Sequence, residues 1–133
     1  MSYDKAAIER IVKRIVYAVD HNQYHIARNE NRTKNVDFLA EYEINETRLK
    51  DILSGLNADD FSESVQNVNP AFELEQEKLY IFGLKRRLLP VAEDEYKNVE
   101  IYVKVNIIER KIDDFVMLIS IHEAEEPMSY AFK

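Results

Sequence analysis

The sequence predicts an α+β protein, with N-terminal helices packed on a small C-terminal antiparallel sheet, and three observations carry that expectation. Apolar residues recur at helical spacing through the first 56 positions, and with a two-residue period from residue 78 onward. The helical and extended stretches do not alternate, which argues against a βα-repeated fold. Only 2 glycines and 3 prolines interrupt the 133 residues, so long regular elements are favoured over a loop-rich scaffold. That length, with a 46% hydrophobic share, suits a single domain spanning 1–133.

The first helix is expected over 4–20. Ile8, Ile11, Val12, Ile15, Val16 and Val19 form its apolar stripe, Ser2 or Asp4 caps its start, and Arg10, Lys13, Arg14 and Tyr17 fall on the opposite side. A short extended segment follows within 22–30, marked by Tyr24, Ile26 and Arg28. Residues 33–42 read as a short helix with Val36, Leu39 and Ala40 on one face and Phe38 beside it. A clearer helix begins at Asn45, whose side chain caps it. Glu46 sits in the first turn, Leu49, Ile52, Leu53 and Leu56 form the stripe, and Gly55 and Asn57 mark the end. The stretch 58–70 reads as a polar, turn-rich connection, and Pro70 lacks the amide that a central strand requires.

Three strands are expected at 78–84, 99–108 and 114–122, all rich in β-branched and aromatic residues. Ile101, Val103 and Val105 should face one way and Tyr102, Lys104 and Asn106 the other. In the last strand, strict alternation groups Phe115, Met117, Ile119 and Ile121 against Val116, Leu118, Ser120 and His122. The four residues 110–113 are the length of a hairpin link.

Charge and composition narrow the chemistry. The net charge of −7 is local: residues 51–77 hold seven acids and no Lys or Arg, while the flanking parts are close to balance. A basic patch elsewhere can therefore still attract phosphates across a screening length of about 8–10 Å. The absence of cysteine excludes disulfides and thiolate metal sites and suits a reducing, cytoplasmic setting. The start MSYDKAAIERIVKR has no apolar leader core, and no apolar run approaches the ~20 residues of a membrane span. There is no glycine-rich phosphate loop, no GxSxG and no HExxH. His21, His25 and His122 are too dispersed for a zinc site, so no metal or other cofactor is expected.

What remains is a polar set toward the end of the chain: Tyr102, Lys104, Ser120, His122, Tyr130 and Lys133. Metal-free RNA cleavage needs a proton taken from the 2′-hydroxyl, charge stabilised on the phosphorane, a proton given to the 5′-oxygen, and a base held in place. Histidine, lysine and tyrosine are the side chains for those tasks. The triplet Lys85, Arg86 and Arg87 is a candidate RNA-binding patch that positions phosphates.

The segments ILSGLNADDF, LYIFG, IYVK and SIHEAEEPMSYAFK, in that order over about residues 31–133, resemble the MqsR-like toxins of bacterial toxin–antitoxin pairs. The resemblance implies a fold related to the RelE group and metal-independent mRNA endoribonuclease activity through a 2′,3′-cyclic phosphate, which inhibits translation. It also implies a cognate antitoxin, usually a small DNA-binding protein, as partner. By position Tyr102 and Lys133 match residues with catalytic roles in that family. Lys104 lies in the same motif as Tyr102, and His122 matches the histidine of the terminal motif. Ser62, Glu63 and Ser64 stand where the family often has a lysine, and Ala131 where it commonly has proline. The alternative is a non-catalytic regulatory or phage-derived module of the same fold, engaging a basic partner through the acidic 51–77 segment.

Overall fold

The structure, a computed structural model, describes residues 3–27, 33–66 and 78–133. Helix α1 spans Lys5–Asp20, strand β1 Tyr24–Ile26, helix α2 Thr33–Glu41 and helix α3 Glu46–Ser54. A 3-10 turn at Ala58–Asp60 leads into β2 (Phe61–Gln66), followed by β3 (Lys78–Leu88), β4 (Lys97–Glu109) and β5 (Asp114–Glu123). The class is α+β as expected. The sheet, however, has five strands in the order β1-β5-β4-β3-β2, and it is mixed rather than antiparallel, because β1 runs parallel to β5.

Local chemistry accounts for the helices. Asp4 caps α1 by accepting from the Ala6 amide at 3.1 Å, and Ile8, Val12, Ile15, Ala18 and Val19 are buried. The helix stops where Asn22 takes a left-handed backbone with φ 60°. Asn45 caps α3 through the Arg48 amide at 2.9 Å, and Leu49, Ile52 and Leu53 are buried beneath it. Asn57 starts the 3-10 turn, where it and Asp60 cap each other reciprocally. The stripe expected for α2 is corrected. Asn35, Phe38 and Leu39 face inward, while Val36 is 43% exposed. A polar residue holds a core position there, so an apolar count places the face one step off.

The stretch 58–70 is also corrected. Its first part is the turn and β2, not a connection, and Phe61 is fully buried. Its pairing comes from β3, with Phe61 opposite Phe82 and Val65 opposite Leu79. Pro70, like Ser2, Arg28 and the acids Glu73, Glu75 and Glu77, lies outside the described residues. Of the other acids in that segment, Asp59 pairs with Lys5 at 3.1 Å and Asp60 takes part in the cap.

The core lies between the helices and one face of the sheet, where Phe82, Leu84, Ile101, Val103, Val105, Val116, Leu118 and Ile121 are buried. Leu118 and Ile121 share that face, which overturns the strict alternation expected for β5. Val105 pairs with Leu118 and Lys104 with Ser120, so Ile119 is an extra residue, a β-bulge. Beyond it Ser120 and His122 point to the same side as Tyr102 and Lys104. β1 covers the outer edge of β5 only at Val116–Leu118. Next to it lies α2, with Asn35 bonded to the backbone of Ile119 and Ile121.

Candidate active site

The site lies on the sheet face away from the main core, where the register sets two cross-strand rows. Gly83, Tyr102 and His122 stand side by side on β3, β4 and β5, and Ile81, Lys104 and Ser120 form the next row. Tyr102 and His122 stack with ring centroids 5.1 Å apart and planes 12° from parallel. A register taken from hairpin length alone places 102–104 opposite about 116–120. The bulge moves it, so that Tyr102 meets His122 and Lys104 meets Ser120 directly.

These four residues line an open cleft of about 540 Å³. Its other walls are Thr33 and Lys34 at the start of α2, and Ala124, Glu125, Glu126 and Met128 in the segment after β5. Lys34 is ion-paired with Glu125 across the rim. Sequence reasoning did not single out these walls, because α2 and the terminal segment meet only in three dimensions. His122 Nδ1 lies 2.9 Å from the Glu123 carbonyl. A carbonyl only accepts, so Nδ1 carries a proton and Nε2 is the nitrogen that can exchange one.

The terminal segment crosses the sheet above Gly83. Glu100 accepts from the Met128 amide at 3.0 Å and from the Tyr130 hydroxyl at 2.5 Å. A Cβ on Gly83 would lie 2.8 Å from Met128 Sδ and closer still to the Tyr130 hydroxyl, so any side chain there would displace the ends of both. Burial, and then the bond to Glu100, push the Tyr130 phenol above its usual range.

The sequence-derived candidates thus divide. Tyr102, Lys104 and His122 are brought together in one cleft. Lys133 is not among the residues lining it. Its ammonium stands 5.0 Å from the centre of the Tyr130 ring, and that of Lys85 stands 5.8 Å from the same ring. Lys133 and Arg86 both act on Asp60, whose carboxyl is nonetheless pushed up by burial. The basic triplet does not share one face. Lys85 lies against Tyr130 and Arg87 lies 5.4 Å from the Tyr96 ring. Arg86 turns to the helix side, where its guanidinium sits against Gly55 at the end of α3. A cation there suits the negative end of the helix dipole. All three border a second open cleft with Asn98, Val99 and Glu100.

Among the described residues, no three His, Asp or Glu side chains group closely enough to hold a metal ion, and no helix is long and apolar enough to cross a membrane. Compared with models of known families, with curated proteins and with solved structures, the chain finds no match.

Proposed function

We propose that this chain is a metal-independent mRNA endoribonuclease of the MqsR-like, RelE-related toxin group, and that it inhibits translation until a cognate antitoxin binds it. The observation that carries the reading is the meeting of Tyr102, His122 and Lys104 in one cleft. The ordered motifs that resemble the family support it independently.

In this reading Nε2 of His122 takes the proton of a ribose 2′-hydroxyl, whose oxygen attacks the adjacent phosphorus. The bond from phosphorus to the 5′-oxygen breaks, that oxygen takes a proton back from the His122 imidazolium, and a 2′,3′-cyclic phosphate remains. Lys104 stabilises the negative charge on the phosphorane, and Tyr102 holds the nucleotide beside the histidine or assists the proton transfer. Lys133 and Lys85, both close to the Tyr130 ring, supply positive charge outside the cleft that can attract the RNA backbone. The antitoxin, a small DNA-binding protein, would cover this face and exclude RNA.

The purified protein, incubated with single-stranded RNA and a chelator, should yield fragments ending in a 2′,3′-cyclic phosphate. Induced expression in a bacterial host should arrest growth as mRNA is lost, and co-expression of the neighbouring gene product should relieve the arrest and co-purify with the chain. Intact RNA in vitro together with normal growth on expression would defeat the proposal.

A further inference from the structure

His122 reaches the cleft only because β5 carries one residue more than its partner strand. Before the bulge, β5 presents the Val116 amide and the Leu118 carbonyl to β1, bonded to the Gln23 carbonyl and the Ala27 amide, each at 3.0 Å. Regular alternation would turn the backbone of Ile119 and Ile121 inward toward β4. It would also send the His122 side chain to the same side as Leu118, into the core. The extra residue reverses both. The Ile119 carbonyl and the Ile121 amide now point to the outer edge, beyond the reach of β1, which pairs only as far as Leu118.

Asn35 meets both groups. Its Nδ2 donates to the Ile119 carbonyl and to the Ala27 carbonyl, each at 2.9 Å, and its Oδ1 accepts from the Ile121 amide at 2.8 Å. The residue is 1% exposed. A primary carboxamide has two donor hydrogens and one acceptor oxygen, and here each is used on backbone. Aspartate has the shape but offers no donor to the two carbonyls and would bury a charge between them. Alanine leaves three backbone groups without that partner in a place closed to water.

We propose that Asn35 is the positioning residue of the cleft: by holding the Ile119 bulge it turns Ser120 and His122 onto the face of Tyr102 and Lys104. Its kinetic consequence rests on the endoribonuclease reading; its structural consequence does not. A corollary separates this role from general stabilisation. Without Ile119 the strand would alternate regularly, Leu118 inward, Ser120 outward, Ile121 inward and His122 outward. His122 would keep its place with no bulge to hold, and Asn35 would have no positioning task left.

The test is made on the full chain with proton NMR of its three histidines, His122 being assigned by comparison with His122→Gln. Stacking on Tyr102 displaces the His122 ring resonances from those of an ordinary histidine. Asn35→Ala should abolish that displacement and lower kcat for RNA cleavage at least tenfold. Deletion of Ile119 should retain the displacement, and Asn35→Ala added to the deletion should leave it in place. If Asn35→Ala alone does not fold, the double variant decides: a folded double variant with stacked His122 supports the proposal, and an unfolded one overturns it. It is equally overturned if Asn35→Ala folds with His122 resonances unchanged. Should the parent prove unable to cleave RNA, the proposed function falls, while the resonances still decide the role of Asn35.

Discussion

Glu100 holds Tyr130 across the face of the sheet, its carboxylate accepting the phenol hydroxyl on one oxygen and the Met128 amide on the other. One side chain of β4 thereby straps the end of the chain over Gly83 and sets Met128 as a wall of the cleft. Glu100→Ala removes both acceptors, and Gly83→Ala fills the space beneath the crossing. Each should raise hydrogen exchange at the Met128 and Ala131 amides by tenfold or more, about 1.4 kcal/mol or greater. Exchange in the centres of β4 and β5 should stay as in the parent. Unchanged protection at Met128 in both variants would show that the strap is held elsewhere.

The cleft residues should separate by function. On the proposed endoribonuclease reading, His122→Ala and Lys104→Ala should each lower RNA cleavage on the order of 10²–10³-fold, the usual cost of removing a catalytic proton carrier or a charge-stabilising donor. Lys133→Ala should act mainly on KM, because its ammonium lies over Tyr130 and not among the residues lining the cleft. A loss of kcat in Lys133→Ala as large as in His122→Ala would show that the terminal segment closes onto the substrate during the reaction.

Arg14 joins α1 to the start of β5 by two bonds to Asp114, 2.8 Å from Nε and 2.9 Å from Nη2. Hydrogen bonding to the guanidinium holds the Asp114 carboxyl below its usual 3.8. A carboxyl lowered on folding stabilises the protein above its unfolded value, and that contribution is lost as pH falls through the folded value. Urea midpoints of the parent should therefore exceed those of Asp114→Asn by a constant amount above about pH 5. The gap should shrink as the pH drops through 3.8 and below. A gap that widens on acidification would contradict the ion pair.

Phe61 is the hub of an aromatic cluster, with ring centroids of Tyr3, Phe82 and Phe132 at 4.9, 5.6 and 6.1 Å. It opens β2, and its carbonyl takes the Ala131 amide at 3.0 Å. Phe61→Ala should cost about 3–5 kcal/mol in chemical denaturation, the range for a large core aromatic. Phe61→Leu should cost markedly less. Equal losses would place the energy in the backbone of β2 and not in ring packing.

Helices α1 and α3 were legible because their caps and stripes are local, as Asp4 and Asn45 demonstrate. β3 to β5 were legible from composition and period, and the short hairpin made Tyr102 and His122 neighbours. β2 was not legible, since Ser62, Glu63 and Ser64 have no intrinsic strand pattern and depend on β3. The bulge was hidden because both faces of 115–121 are mostly apolar, so the sequence does not mark where alternation breaks. Its support, Asn35, lies 84 residues from Ile119 along the chain. The position of Lys133 follows from the Glu100 strap, which no periodicity in the terminal segment announces.

The parallel pairing of β1 with β5 also orders events in time. Tyr24 finds its strand partner at Val116, and Arg14 finds its acid 100 residues further along the chain. During synthesis at roughly 5–20 residues per second, the apolar faces of α1 and β1 therefore wait for seconds before β5 has been made. The cleft is assembled on that same late strand, since His122 and Ser120 belong to it. A growing chain whose β5 is still inside the ribosome thus has neither a closed core nor a site, and both come into being only when β5 has emerged.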